Sequence, residues 1–107
     1  MSKTIKNTCI LGCGLIGESW GALFLAHGFH IHAWDPDPGV RAYYADRLQR
    51  PLEQLSQVLG KPMLDAQAIT AKLTIHETLA SAVANADFIQ ENAPRENPVK
   101  TRHLRRN

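Results

Sequence analysis

Cysteine is scarce in this chain of 107 residues, which has only Cys9 and Cys13. They sit four apart around a glycine turn, a spacing that suits neither a disulfide framework nor a zinc site without further thiols. Both are read as reduced thiols, with no metal role. Long apolar runs are also missing. Nothing approaches the roughly 18 residues a membrane span needs, so no membrane partner is expected. The N-terminal "MSKTIKNTCIL" carries two lysines but no apolar stretch followed by a small-residue cleavage site, so a cytoplasmic location is the default. No basic face interleaved with aromatics is visible, which leaves a nucleic-acid partner without support. The formal charge of +2 hides an asymmetry. Arg95, Lys100, Arg102, Arg105 and Arg106 stand against Glu96 at the end of the chain, so that stretch is basic and the rest is slightly acidic.

What is present is an apolar content of 44% with 21% charged residues, the balance of a globular chain of one-domain length. No internal repeat or low-complexity segment interrupts it. Thr8, Cys9, Ile10 and Leu11 read as a short strand buried on both faces, as in parallel sheets. Ile16, Trp20, Leu23, Phe24 and His27 then recur at helical spacing, and Gly28 stands where a left-handed cap is expected. In "FHIHAWDPDPG", Phe29, Ile31 and Ala33 alternate with His30, His32 and Trp34, a second strand ending at Asp35. Strand, helix and strand form a βαβ unit. From Val40, the positions Tyr44, Leu48, Leu52, Leu55 and Leu59 keep a helical period to Gly60, with a kink or break expected at Pro51. A shorter helix capped by Asp65 follows. "KLTIH" reads as a third strand, "ETLASAVANA" as a short helix and "DFIQENAP" as a fourth strand.

The chemistry lies in Gly12, Gly14 and Gly17. They form G-x-G-x-x-G directly after a buried strand and at the opening of a helix. Gly12 permits the sharp turn, Gly14 has no β-carbon to block a pyrophosphate, and Gly17 lets the helix lie close on the sheet. The anion would rest on unpaired amides at the helix start, those around Leu15 and Ile16. Gly21 extends the small face by one turn, which predicts close contact between helix and strand. Taken alone, the glycines are equally compatible with a turn that binds nothing. Asp35 stands 18 residues after Gly17, where a carboxylate accepts hydrogen bonds from the adenosine ribose and repels a 2′-phosphate. NAD is therefore preferred to NADP, although Arg41 could stand near enough to soften that preference. The competing reading of Asp35 is a turn-initiating aspartate before Pro36.

His30 and His32 share a strand face but lack a third ligand at a sensible spacing, so they read as a solvated or partly packed pair. His27, His76 and His103 have no partner visible in the sequence. Trp20, Trp34 and the Tyr43–Tyr44 pair read as core or helix-face residues.

The order "ILGCGLIGESWGALFLAHGFHIHAWDPDP", a long helical stretch and "KLTIHETLASAVANADFIQENAP" resembles the NAD-binding domain of the 3-hydroxyacyl-CoA dehydrogenase family. "SWGALFLAHG" and "QENAP" are most similar to the branch with L-carnitine dehydrogenases and lambda-crystallin. The resemblance covers about residues 7–100. It implies an α/β fold with a Rossmann-type, doubly wound parallel sheet of about four strands, incomplete, and a long helical insertion between strands 2 and 3. A dinucleotide-binding domain would then span 1–100, with a basic tail at 101–107. The resemblance also implies hydride transfer between NAD and the hydroxyl-bearing carbon of a 3-hydroxyacyl or carnitine-like substrate.

In the family the fourth strand runs into P-E-x-x-x-x-K, whose Glu and Lys lie beside the nicotinamide. Ala93 and Pro94 open that loop here. Lys100 matches the lysine by spacing. Arg95 stands where the glutamate would be, with Glu96 one residue later. The family's catalytic serine, histidine and asparagine have no counterpart in this sequence, so no catalytic residue is assigned. The expectation is a truncated NAD-binding portion unable to turn over by itself. An alternative is a non-catalytic module that pairs, as a homo-oligomer or otherwise, through an open sheet edge. A third reading is an unrelated nucleotide-dependent enzyme of the same fold.

Overall fold

The computed structural model describes residues 5–62 and 64–92. In chain order the elements are β1 (Asn7–Leu11), α1 (Leu15–Ala26), β2 (His30–Trp34), α2 (Pro38–Arg47), α3 (Gln49–Leu59), α4 (Ala66–Ala71), β3 (Leu73–Ile75), α5 (Leu79–Val83) and β4 (Phe88–Glu91). The strands lie in the order β3-β2-β1-β4, and every pairing is parallel. The chain steps outward from β1 to β2 and β3, then returns to the other side of β1 as β4. The C-terminal ends of β1 and β4 therefore flank the point where strand order reverses, the place where open α/β sheets bind ligands.

Side-chain alternation divides the core between the two faces. On one face Ile10, Ile31 and Ala33 pack with Phe24 and Leu25 of α1, Tyr44, Leu48 and Leu52 of the insertion, and Ile69 of α4. On the other, Cys9 and Leu11 pack with Ala82 of α5, with Trp34 and Leu79 alongside. Helices thus cover both faces. Burial pushes the Cys9 thiol up to about 11 and Cys13 to about 12, the latter helped by the nearby Asp35 charge. Both thiols stay protonated at neutral pH.

Helix boundaries follow local chemistry. Gly28 and Gly60 end α1 and α3 with φ of 83° and 69°, the left-handed region that favours glycine. Asp37 caps α2 by accepting from the Gly39 and Val40 amides, Asp65 caps α4 through Ala68, and Thr78 caps α5 through Ser81. The long helix breaks at Leu48, three residues before the expected Pro51. Pro51 lies in the first turn of α3, where it has no amide to lose, and its ring crowds the carbonyl four residues back, on Arg47. The helix restarts just after that carbonyl.

The helix-to-strand contact expected along Gly21 is instead a contact between helices. A β-carbon on Gly21 would overlap the Tyr44 hydroxyl and stand 3.0 Å from Leu48 Cδ2. Tyr44 is fully buried and donates to the Gly17 carbonyl at 2.7 Å, so its ring has nowhere to move.

His76 and His27 do have partners. His32 Nε2 donates to Asn7 Oδ1 at 3.2 Å. Its Nδ1 is then left to accept from His76 Nε2 at 2.9 Å. His76 Nδ1 meets Ser81 Oγ at 3.0 Å, His30 Nε2 meets Thr74 Oγ1 at 2.8 Å, and His27 Nδ1 donates to the Leu23 carbonyl at 2.9 Å. The parallel pairing of β2 with β3 brings His30 to Thr74 and His32 to His76, which spacing along the chain could not reveal. His103 and the tail at 101–107 lie outside the described residues.

Overpacking costs about 1–3 kcal/mol, against about 1 kcal/mol of helix propensity gained in replacing glycine by alanine. With Tyr44 immobile the first effect wins, so Gly21→Ala should lose up to about 2 kcal/mol in urea unfolding, and equal or higher stability would contradict the contact. Burial holds His30 and His32 below the ordinary imidazole value, reinforced by Lys72 and His76 for His30 and by His30 and His76 for His32. The unfolded chain then binds protons the fold excludes. The associated stability is complete above the ordinary value of 6.5 and is lost as pH falls below it. The His30→Gln/His32→Gln protein should show a shallower fall of Tm from about pH 7.5 to about pH 5.5 than the parent.

Candidate functional site

Gly12 closes β1 with φ of 96°, and its amide donates to the Trp34 carbonyl at 2.9 Å. On its open side a β-carbon would stand 3.1 Å from the Asn92 carbonyl oxygen. At Gly17 a β-carbon would overlap the Gly12 carbonyl oxygen and press Ile10 Cγ2 at 3.3 Å. Both positions require glycine for close approach, as the spacing predicts. Gly14 is different. It has φ of −80°, which any residue adopts, and a β-carbon there would meet nothing within 4 Å. Its missing side chain leaves room beside the start of α1 that the fold itself does not use.

The first turn of α1 has Gly14 as its N-cap, and no side chain caps it. The amides of Leu15, Ile16 and Gly17 lack intrahelical partners by helix geometry, and the helix dipole adds positive potential there. Leu15 and Ile16 are 82% and 63% exposed, so the fold packs nothing over the start of the helix at these positions. Glu18 N, the first amide with an intrahelical acceptor, donates to the Gly14 carbonyl at 2.8 Å.

Asp35 lies against this loop. Its Oδ2 accepts from the Cys13 amide at 2.8 Å, and its Oδ1 accepts from the Asp37 amide at 2.9 Å. The second bond is the turn-initiating role weighed for this residue, and the first ties the acid to the glycines. The two functions coexist, one on each oxygen. A carboxylate offers about four lone-pair sites, so one on each oxygen remains for further donors. Arg41 Nη1 donates to the Asp35 main-chain oxygen at 2.7 Å, which brings its guanidinium to the same corner.

Asn92, at the end of β4, is a supporting residue the sequence reading did not single out. Its amide donates to the Leu11 carbonyl at 2.8 Å, and its Nδ2 donates to the Gly12 carbonyl at 3.3 Å. Tyr44 supports the loop from below through Gly17. The signal for Asn92 was a polar residue directly after a strand, but only the adjacency of β4 to β1 gives it a target. Ala93, Pro94, Glu96 and Lys100, expected near the nicotinamide, lie outside the described residues, as does Arg95.

A glycine turn, uncapped amides, a vacant flank and an acid bonded to the same loop are the parts a dinucleotide needs at its pyrophosphate and ribose. Comparison with known proteins agrees. A family model described as "3-hydroxyacyl-CoA dehydrogenase, NAD binding domain" matches residues 7–106. This chain belongs to that family. L-carnitine dehydrogenase of Streptomyces coelicolor is 38% identical over 98 residues, which are 92% of this chain and 30% of that protein. L-carnitine dehydrogenase of Pseudomonas putida is 40% identical over 90 residues, 84% of this chain and 27% of that protein. The chain thus spans less than a third of the length of these relatives.

Among solved structures, an (S)-3-hydroxybutyryl-CoA dehydrogenase from Ralstonia eutropha superposes with a TM-score of 0.75 at 16% identity, over 96% of this chain and 36% of that one. It shares the fold. An NAD+-dependent 5-dehydrogenase of a pyridine carboxylic acid superposes with a TM-score of 0.72 at 25% identity, over 96% of this chain and 32% of that one. NAD is the cofactor of the domain this chain matches, and the open flank at Gly14 fits it.

Proposed function

We propose that this chain is the NAD-binding portion of a dehydrogenase of the L-carnitine or 3-hydroxyacyl-CoA type. In the whole enzyme, hydride would pass between a 3-hydroxy group and NAD. The observation that carries this reading is the 2.8 Å bond between Asp35 and the Cys13 amide. It joins a ribose-binding acid to a pyrophosphate-binding loop across 22 residues of sequence. Bound NAD would supply the hydride acceptor at its nicotinamide ring.

The chain's own residues do the holding. Gly14 admits the pyrophosphate, the Leu15, Ile16 and Gly17 amides bind it, Gly12 shapes the turn, and Asp35 accepts from the ribose hydroxyls. The family resemblance assigns the loop from Ala93 and Pro94 to Lys100 to the nicotinamide half, with the glutamate role either taken by Glu96, one residue late, or lost to Arg95. Turnover would require residues beyond these 107, in keeping with the share of the relatives' length that is matched. The substrate would be a small 3-hydroxyacyl or carnitine-like molecule.

Gly14→Val tests the site without disturbing the fold, because the position has an ordinary φ and open space. Calorimetric titration should show NAD affinity reduced by about tenfold or more, about 1.4 kcal/mol, in a protein that stays folded, with the melting temperature lowered only by the cost of Val at a helix N-cap. Equal affinity in the two proteins would sink the assignment.

A second reading, association through a sheet edge, draws on Phe88 and Ile89 of β4, which remain 42% and 45% exposed. Among the described residues β4 pairs only with β1, and an unpaired edge beside exposed apolar groups favours association. Light scattering should detect dimers or larger species that Ile89→Lys reverses to monomer. A monomeric parent protein removes this reading.

A further inference from the structure

The corner that receives the adenosine ribose holds three charged side chains, and their arrangement bears on which dinucleotide is accepted. Asp35 is fixed at both carboxylate oxygens, by the Cys13 and Asp37 amides. Asp37 is committed to capping α2, where its Oδ1 takes the Gly39 and Val40 amides at 2.8 and 3.4 Å. Arg41 is the cation between them. Its amide donates to the Asp37 carbonyl at 3.1 Å, and its Nη1 to the Asp35 carbonyl at 2.7 Å.

Two features set Arg41 apart from an ordinary surface arginine. It lies in the opening turn of α2, where a cation opposes the helix dipole. Its hydrogen bond also goes to a main-chain oxygen and neither to the Asp35 nor to the Asp37 carboxylate. A guanidinium carries five N–H donors, so the partly buried group keeps donors and its full charge beside the ribose site. The matching fork of a guanidinium and a phosphate makes this the side chain best suited to a 2′-phosphate.

We propose that Arg41 is a specificity-determining residue of this site. The Asp35 carboxylate makes NAD the preferred dinucleotide, while Arg41 keeps a weaker capacity for a 2′-phosphorylated one, so that preference is set by the balance of the two. The inference rests on the dinucleotide reading above. With Asp35 and Asp37 against Arg41 the corner carries one net negative charge, which disfavours the phosphate. Removing the Asp35 charge brings the corner to neutrality and leaves Arg41 free to take the phosphate.

The test is calorimetric titration of NAD and NADP into four proteins: the parent, Arg41→Met, Asp35→Asn and the double variant. Far-UV circular dichroism and melting serve as the control of folding. The parent should bind NAD more tightly than NADP by about tenfold or more. Asp35→Asn should weaken NAD and strengthen NADP. Adding Arg41→Met to it should cut NADP affinity by about tenfold and leave NAD within about twofold. If Arg41→Met lowers both affinities by the same factor, or changes neither, Arg41 is only a loop latch and the proposal is overturned while the NAD site stands. If the folded parent binds neither dinucleotide, the dinucleotide reading fails and this inference falls with it.

Discussion

The carboxylate of Asp35 ties the end of β2 to the loop that follows β1, accepting from the Cys13 amide at 2.8 Å and the Asp37 amide at 2.9 Å. Hydrogen bonds to a charged acceptor contribute about 1.5–3 kcal/mol each, enough to hold a glycine-rich loop that has few side chains of its own to pack. Each Asp35 oxygen, having accepted one amide, keeps a lone pair for a further donor. One interaction therefore stabilises the loop and fixes the end of β2 against it.

That loop also depends on being approached closely from below. Gly17 lies against the Gly12 carbonyl, and Gly21 lies against Tyr44 and Leu48. The buried Tyr44 hydroxyl donates to the Gly17 carbonyl at 2.7 Å, so a polar group buried by close packing keeps its partner, as the cost of an unpaired one demands. The inserted helices between β2 and β3 are in this sense part of the site's foundation. They hold α1, and α1 presents its uncapped amides at the switch point of the sheet.

The elements were largely legible because each carries a local signal. Period-two and helical apolar spacing located all four strands and the helices, and Gly28, Gly60, Asp65 and the glycine loop marked their ends. The misplacements were those where one residue acts on another some way off. Pro51 breaks the helix at Leu48 because the crowded atom is on Arg47. Gly21 serves a helix contact because Tyr44 packs there. His76 pairs with His32 because β3 lies beside β2 in parallel register. Tyr44 and His32 lie 23 and 44 residues from their partners, beyond the window that spacing can read, whereas the Pro51 shift acts over a single helical turn.

By itself the sequence determined the strand–turn–helix unit, the need for glycine at Gly12 and Gly17, and the acid at the end of β2, because backbone sterics and side-chain period act between near neighbours. Tertiary structure alone decided that Asp35 reaches the Cys13 amide, that Asn92 braces Gly12 from the end of β4, and that Arg41 reaches the Asp35 carbonyl. Those contacts depend on strand order and on where α2 begins, and only the packed sheet brings together atoms so distant along the chain.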